Sequence, residues 1–250
     1  MRHSTRYRLN TFFSSSNFPE GVKWLLISNT AIFVAMFLFA RDELLLRGIF
    51  EWLALSPVNV IKNFRIWQLG TYLFLHGGMQ HLLFNMLTLW WFGATLERDW
   101  GTRRFLKYYF LCGIVAGLCD VTVNALLGNW YTSTIGASGA IYGVLLAFGV
   151  LYPDVNILFL FIFPIQAKYF VMIVGAIALL GSLSSANSSV SNVAHLGGMI
   201  FGLIYLKVRF PRWDMYEVRR WYRNYKMYRA KKKFQVYMRK HGSGRGPWVN

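Results

Sequence analysis

The stretch YFVMIVGAIALLGSLSSANSSVSNVAHLGGMIFGLIYL, residues 169–206, runs for 38 residues without a charged side chain. About 20 apolar residues in a helix cross the hydrocarbon core of a bilayer, so this stretch is too long for one crossing and long enough for two. The polar run Ser184-Ser185-Ala186-Asn187-Ser188-Ser189 divides it. Two membrane helices joined by a short polar loop follow, and the composition of the whole chain agrees. Of 250 residues 55% are hydrophobic, 18% aromatic and only 15% charged, against roughly 25% charged in a soluble domain. The low Pro and Cys counts, 6 and 2, exclude collagen-like, disordered and disulfide-scaffold classes. Cys112 and Cys119 lie in an apolar stretch and read as helix packing.

Apolar runs give further spans at 24–40, 79–96, 105–127, with Asp120 near one end, and 138–152, which makes six. Arg41, Asp42 and Glu43 stop the first. The basic stretch ahead of it resembles the n-region of a signal peptide, but no small-x-small cleavage site follows, so a retained signal anchor is expected. Gly77-Gly78 sets the start of the second span near Met79, and Pro153-Asp154 closes the fourth. Residues 156–164 are apolar but too short to cross, and they are expected to form an interfacial connector. The fold class expected is an all-α integral membrane protein, a six-helix bundle. It comprises an N-terminal tail (1–23), a membrane domain (24–208) and a basic, aromatic-rich C-terminal tail (209–250).

The formal charge is +17, with 27 basic and 10 acidic residues, and it sits at the ends: +3 over 1–23, +2 over 24–206 and +12 over 207–250. Lys and Arg in short flanking segments mark the cytoplasmic side. The N-terminal tail, the segment with Arg98, Arg103, Arg104 and Lys107, and the C-terminal tail are therefore expected there. The even number of spans fits this. The first outer loop, 41–65, is near neutral and carries amphipathic pieces such as Ile49-Phe50-Glu51-Trp52-Leu53, suited to an interface. In the C-terminal tail, Trp221, Tyr225 and Tyr228 follow helical spacing among the basic residues, which predicts contact with anionic lipid. Nucleic acid is the less economical partner for a tail next to a membrane span.

Polar groups within a bilayer are expensive, and each is a functional candidate. His81 begins the second span, Asn85 lies one turn on, Ser138 begins the fourth and His195 begins the sixth. None of them is a Lys or Arg that sets the orientation, yet all are expected in the outer half of the membrane. A hydroxyl becomes a nucleophile beside a base, and an oxyanion needs preorganised donors. Ser138 and His195 can supply the first; His81, Asn85 and the Ser138 amide can supply the second. Gly139 and Gly143 on one span and Gly198 and Gly202 on another are small-xxx-small patterns that let helices approach closely. If those faces meet, His195 is carried towards Ser138, and Tyr142 offers a ring against which its imidazole packs. Taken singly, Ser138 is equally a packing residue, each histidine part of a proton relay, and Asn85 an interhelical hydrogen-bonding residue. His76 is open between a site role and a loop hydrogen bond. No H-E-x-x-H occurs, and Asp120 is the single acid within a span, so neither a zinc nor an aspartyl protease is expected. No metal or cofactor is expected.

Three segments together resemble the rhomboid intramembrane serine proteases: His76-Gly-Gly-Met-Gln-His81-Leu-Leu-Phe-Asn85, Gly136-Ala-Ser138-Gly-Ala-Ile-Tyr142-Gly143, and Ala194-His195-Leu-Gly-Gly198-Met-Ile-Phe-Gly202. Leu96-Glu97-Arg98 through Gly101 also looks like the family's segment after its second helix. The resemblance covers about residues 24–208. It implies a six-helix rhomboid-type bundle with Ser138 as nucleophile and His195 as base and acid of a dyad without a carboxylate member. His81, Asn85 and the Ser138 amide match the family's oxyanion site. The implied substrates are transmembrane proteins, cut near the membrane-exposed ends of their helices, in a bacterial-style inner membrane with both termini cytoplasmic. The polar loop 184–192, next to His195, is the expected gate. One departure is visible, because Trp67-Gln68 stands where the family usually has Trp-Arg. Two other functions compete: a catalytically silent rhomboid-like binder of transmembrane helices, and a transporter using His76, His81 and His195.

Overall fold

The computed structural model describes residues 18–38, 43–159, 163–183, 191–209 and 227. The expected N-terminal tail up to residue 17, the gate loop over 184–190, and nearly all of the basic tail with its aromatic helix lie outside the described residues. The chain divides into two compact units, 1–204 and 205–250. Within the second only residues 205–209, the end of a helix, and Met227 are described.

The helices are α1 (Glu20–Leu38), α2 (Glu43–Leu53), α3 (Gln68–Thr71), α4 (Met79–Thr88), α5 (Ala94–Trp100), α6 (Thr102–Leu126), α7 (Ser138–Leu151), α8 (Ala167–Leu183) and α9 (Asn192–Arg209). Of the described helices, α1 and α6 are each long and apolar enough to cross a membrane, and α7, α8 and α9 are shorter apolar helices. The expected second span is a continuous rod formed by α4, a π-helical turn at Leu89–Gly93, and α5. The fourth and sixth expected spans start where α7 and α9 start, at Ser138 and beside His195.

Helix α7 is apolar on every side, and ten of its residues, from Gly139 to Leu151, are buried. A helix apolar all round belongs in the middle of its fold. It packs chiefly on α6, with α8 and the α4–α5 rod on its other sides. The outer helices are apolar in the opposite direction: Phe37 is 72% exposed and Leu180 is 67% exposed. Apolar surface of this extent matches hydrocarbon rather than water.

Helix α1 is fastened at its start. Its first-turn amides have no partner within the helix. The Glu97 carboxylate accepts from Gly21 N and Val22 N at 2.7 Å each, and from the Thr102 hydroxyl at 2.6 Å. A buried carboxylate at a helix N-terminus also opposes the positive end of the dipole. Glu97→Ala is expected to lower stability by about 3 kcal/mol, since charged hydrogen bonds are lost and two amides are left buried. Glu97→Gln is expected to lose less. Denaturant unfolding in mixed micelles reads both.

Two connections differ from expectation. Residues 156–164 are not simply an interfacial connector but begin a β-hairpin, β1 (Asn156–Phe159) pairing antiparallel with β2 (Phe163–Gln166). A segment too short to cross must reverse direction, and strand pairing satisfies the backbone groups of its two arms. Lys168 and Asp154, 2.9 Å apart, close the base of this connection. In the connection after the first expected span, residues 43–53 form a full helix, α2. Its Leu46, Ile49, Phe50 and Leu53 turn inward onto Met36, Ala54 and Leu75, while Leu44 and Trp52 stay exposed. The amphipathic piece therefore serves the bundle with one face.

Candidate functional site

Ser138 is the first residue of α7, and the loop leading to it is held by backbone pairing. Thr134 and Leu55 form an antiparallel bridge, 3.0 Å from Leu55 N to Thr134 O and 2.8 Å in the other direction. Gly136 N donates to Tyr72 O at 2.9 Å. Gly136 has φ +117°, a conformation that strains any side chain. Space requires glycine as well, because a Cβ there would come within 2.8 Å of the His81 imidazole. The turn thus brings Ser138 beneath His81. The amides of the first turn of α7 have no acceptor within the helix, and the helix dipole makes this end favourable for negative charge.

His195 Nε2 lies 2.8 Å from Ser138 Oγ. The imidazole is 5% exposed and stacks on the Tyr142 ring, with centroids 4.0 Å apart and planes 8° from parallel. Its Nδ1 is buried and has no hydrogen-bond partner among the described residues. Ring stacking, not a carboxylate, orients the histidine.

Glycines bring α9 close enough for this contact. A Cβ on Gly198 would run into the carbonyl oxygen of Gly139. One on Gly143 would lie 3.1 Å from Gly198 O, and one on Gly202 would meet the Tyr108 hydroxyl, which itself donates to Gly143 O at 2.7 Å. The structure therefore packs Gly139 and Gly143 directly against Gly198 and Gly202, backbone on backbone.

A small cavity opens beside Ser138, lined among others by Tyr72, His81, Gly136, Thr134 and Ser191. His81 and Ser138 share it. Asn85 does not line it: the residue is buried one turn along α4, and its Nδ2 has no partner among the described residues. His76 is buried and packs edge-on against His81, with centroids 5.0 Å apart. It supports His81 from behind and does not face the cavity.

The Trp67-Gln68 departure has a structural answer. Gln68 is fully buried, its Nε2 donates to Glu51 O at 2.9 Å, and its Oε1 accepts from Ser56 N at 3.2 Å. Trp67 stacks on Trp52 at 5.7 Å and donates to Trp52 O. Arg65 covers the other ring partner, 4.4 Å over Trp52, and donates to Glu51 O. A cation still fastens the loop, supplied by Arg65, with the amide of Gln68 beneath it. The sequence assigned no role to Thr134 or Asp120 and placed Ser191 only within the expected gate loop, yet the three meet beside Ser138. The signal available was Asp120 itself, an acid inside a membrane helix.

A buried helix that starts on a serine, with a histidine from a neighbouring helix in contact with its hydroxyl, defines a helical membrane protein built around a Ser–His pair. A family model described as Rhomboid domain matches residues 63–212, and the chain belongs to the rhomboid family. It is 25% identical to Rhomboid-like protease 3 of Toxoplasma gondii over 78% of this chain and 71% of that one. It is 35% identical to Rhomboid protease GluP of Bacillus subtilis over 58% of this chain and 26% of GluP. With Rhomboid protease GlpG of Salmonella choleraesuis the identity is 25%, over 79% of this chain and 67% of GlpG. The protein is thus an integral membrane protein with relatives named as proteases.

Proposed function

We propose that this chain is an intramembrane serine endopeptidase that hydrolyses peptide bonds in or near transmembrane segments of membrane proteins through a Ser138–His195 dyad. The observation that carries the reading is the 2.8 Å contact between His195 Nε2 and Ser138 Oγ in a buried setting. Ser138 Oγ attacks the scissile carbonyl carbon while its proton passes to His195 Nε2. The carbonyl oxygen becomes an oxyanion, which accepts hydrogen bonds from the Ser138 amide and His81, with Asn85 completing the set as its free Nδ2 turns towards the cavity. The protonated imidazole then gives its proton to the leaving amine, and an acyl ester remains on Ser138. Water, deprotonated by the same imidazole, hydrolyses that ester and restores the serine.

The membrane domain, 24–208, carries six spans in this reading, with both termini on the cytoplasmic face of a bacterial-style inner membrane and the site near the outer face. The substrate helix enters laterally past the loop 184–192, and the basic tail 209–250 lies on anionic lipid. The family membership and the relatives named as proteases support the activity; the charge distribution supports the orientation.

Labelling of the detergent-purified protein with a fluorophosphonate probe tests the reading without a known substrate. Wild type is expected to label, and Ser138→Ala is expected to abolish the signal. A folded wild type that stays unlabelled would transfer the assignment to a silent binder of transmembrane helices.

A further inference from the structure

Asp120 is the single acid within an expected span, and the Ser–His chemistry gives it no task. It is 1% exposed, and a carboxylate in such a place persists only when its oxygens are bonded. Oδ1 accepts from Asn124 Nδ2 at 3.0 Å and from the Ser191 hydroxyl, and Oδ2 accepts from the Thr134 hydroxyl at 2.8 Å. Asn124 lies on the same helix, α6. The other two do not. Thr134 sits four residues before Ser138 in the loop that delivers the nucleophile. Ser191 is the N-cap of α9: its Oγ accepts from Ala194 N at 3.1 Å and its carbonyl accepts from His195 N at 3.2 Å. Both Thr134 and Ser191 line the cavity beside Ser138.

We propose that Asp120 is a positioning residue for the Ser138–His195 pair, tying the loop before the nucleophile and the cap of the base-bearing helix to one carboxylate on α6. The inference rests on the serine protease reading above. A carboxylate only accepts, so it forces the Ser191 hydroxyl to donate towards it and leaves the oxygen lone pairs for Ala194 N–H. The cap therefore has one direction. Ser191 and His195 are one helical turn apart, so a shift of the cap is passed to the imidazole, whose Nδ1 has no partner to resist it. Thr134, held by the same carboxylate, fixes the other end of the Oγ–Nε2 distance.

The test measures fluorophosphonate labelling rates per folded molecule in the purified full-length protein, well below each variant's unfolding temperature. If wild type does not label, the serine protease reading fails and this inference falls with it. Where wild type labels, Asp120→Ala is expected to slow labelling by about 100-fold, the scale of a 1 Å misplacement of a reacting group. Asp120→Asn keeps an acceptor oxygen for Ser191 and is expected to recover most of the rate. Ser191→Ala is expected to slow labelling too, with less than the sum of the two losses in the double variant. Labelling of Asp120→Ala at the wild-type rate, whatever its unfolding temperature, overturns the proposal. So do additive losses in the double variant. If Asp120→Ala does not fold, Ser191→Ala decides alone, and an unslowed rate overturns the proposal.

Discussion

Replacing His195 by alanine is expected to slow fluorophosphonate labelling of Ser138 by about 1,000-fold, the scale of general-base assistance by a positioned side chain. A serine hydroxyl is a weak nucleophile until a base takes its proton. Nε2 is the base in contact with Oγ, at 2.8 Å, and no second ionisable side chain is hydrogen-bonded to Ser138 among the described residues. The substitution is a clean one for stability. The imidazole makes one side-chain hydrogen bond, to Ser138 itself, and one ring stack, to Tyr142. Its loss leaves the glycine contacts between α7 and α9 intact. Folding is therefore expected to survive, so the rate per folded molecule reports chemistry. Time-resolved in-gel fluorescence measures it. An unchanged rate would remove His195 from the mechanism and return weight to a transporter or a binder.

Gly198→Ala is expected to act through the opposite route, losing stability and activity together. The added methyl would run into the Gly139 carbonyl oxygen, which is backbone and cannot rotate aside. The helices must separate, at a cost of about 3 kcal/mol, the upper end for overpacking. Separation also lengthens the Oγ–Nε2 contact, because His195 lies one turn from Gly198 on the same helix, and a 1 Å shift costs about 100-fold in rate. Unfolding midpoints in micelles together with labelling rates test this. Wild-type behaviour in both would mean that α7 and α9 do not pack through their glycines.

Membrane insertion was legible because hydropathy reports directly on lipid exposure, and Phe37 and Leu180 carry that signal whatever they contact. The positions of Ser138 and His195 at helix starts were legible for a related reason: Gly136 and the polar run before His195 punctuate the apolar pattern. What the pattern could not carry were choices made by tertiary partners. The hairpin at 156–166 contains apolar residues that look like any short hydrophobic segment, and its strand pairing depends on a reversal that spacing does not encode. Gln68 was visible as a departure, but its role depends on carbonyls of residues 51 and 52 that only folding brings near. Asp120 was noticed as an isolated acid; its partners, Thr134 and Ser191, lie 14 and 71 residues away in sequence. A single sequence records one noticed acid and two ordinary polar residues, with nothing that joins them.

The π-helical turn at Leu89–Gly93 works as a phase shifter. A π-turn accommodates one residue more than an α-turn, and one residue corresponds to about 100° of rotation around the axis. Ahead of the turn, the rod presents His81 to the serine; beyond it, the rod presents Glu97 to the first amides of α1. A regular helix of the same composition would turn one of these contacts about 100° away from the other's present phase. Deleting a single residue there would leave every motif and the whole hydropathy profile unchanged, yet it would swing one half of the rod away from its neighbour. The segment between the two motifs is therefore constrained in length as well as in identity: Leu89, Phe92 and Gly93 are buried among their neighbours, and the residue count sets the phase between the two halves.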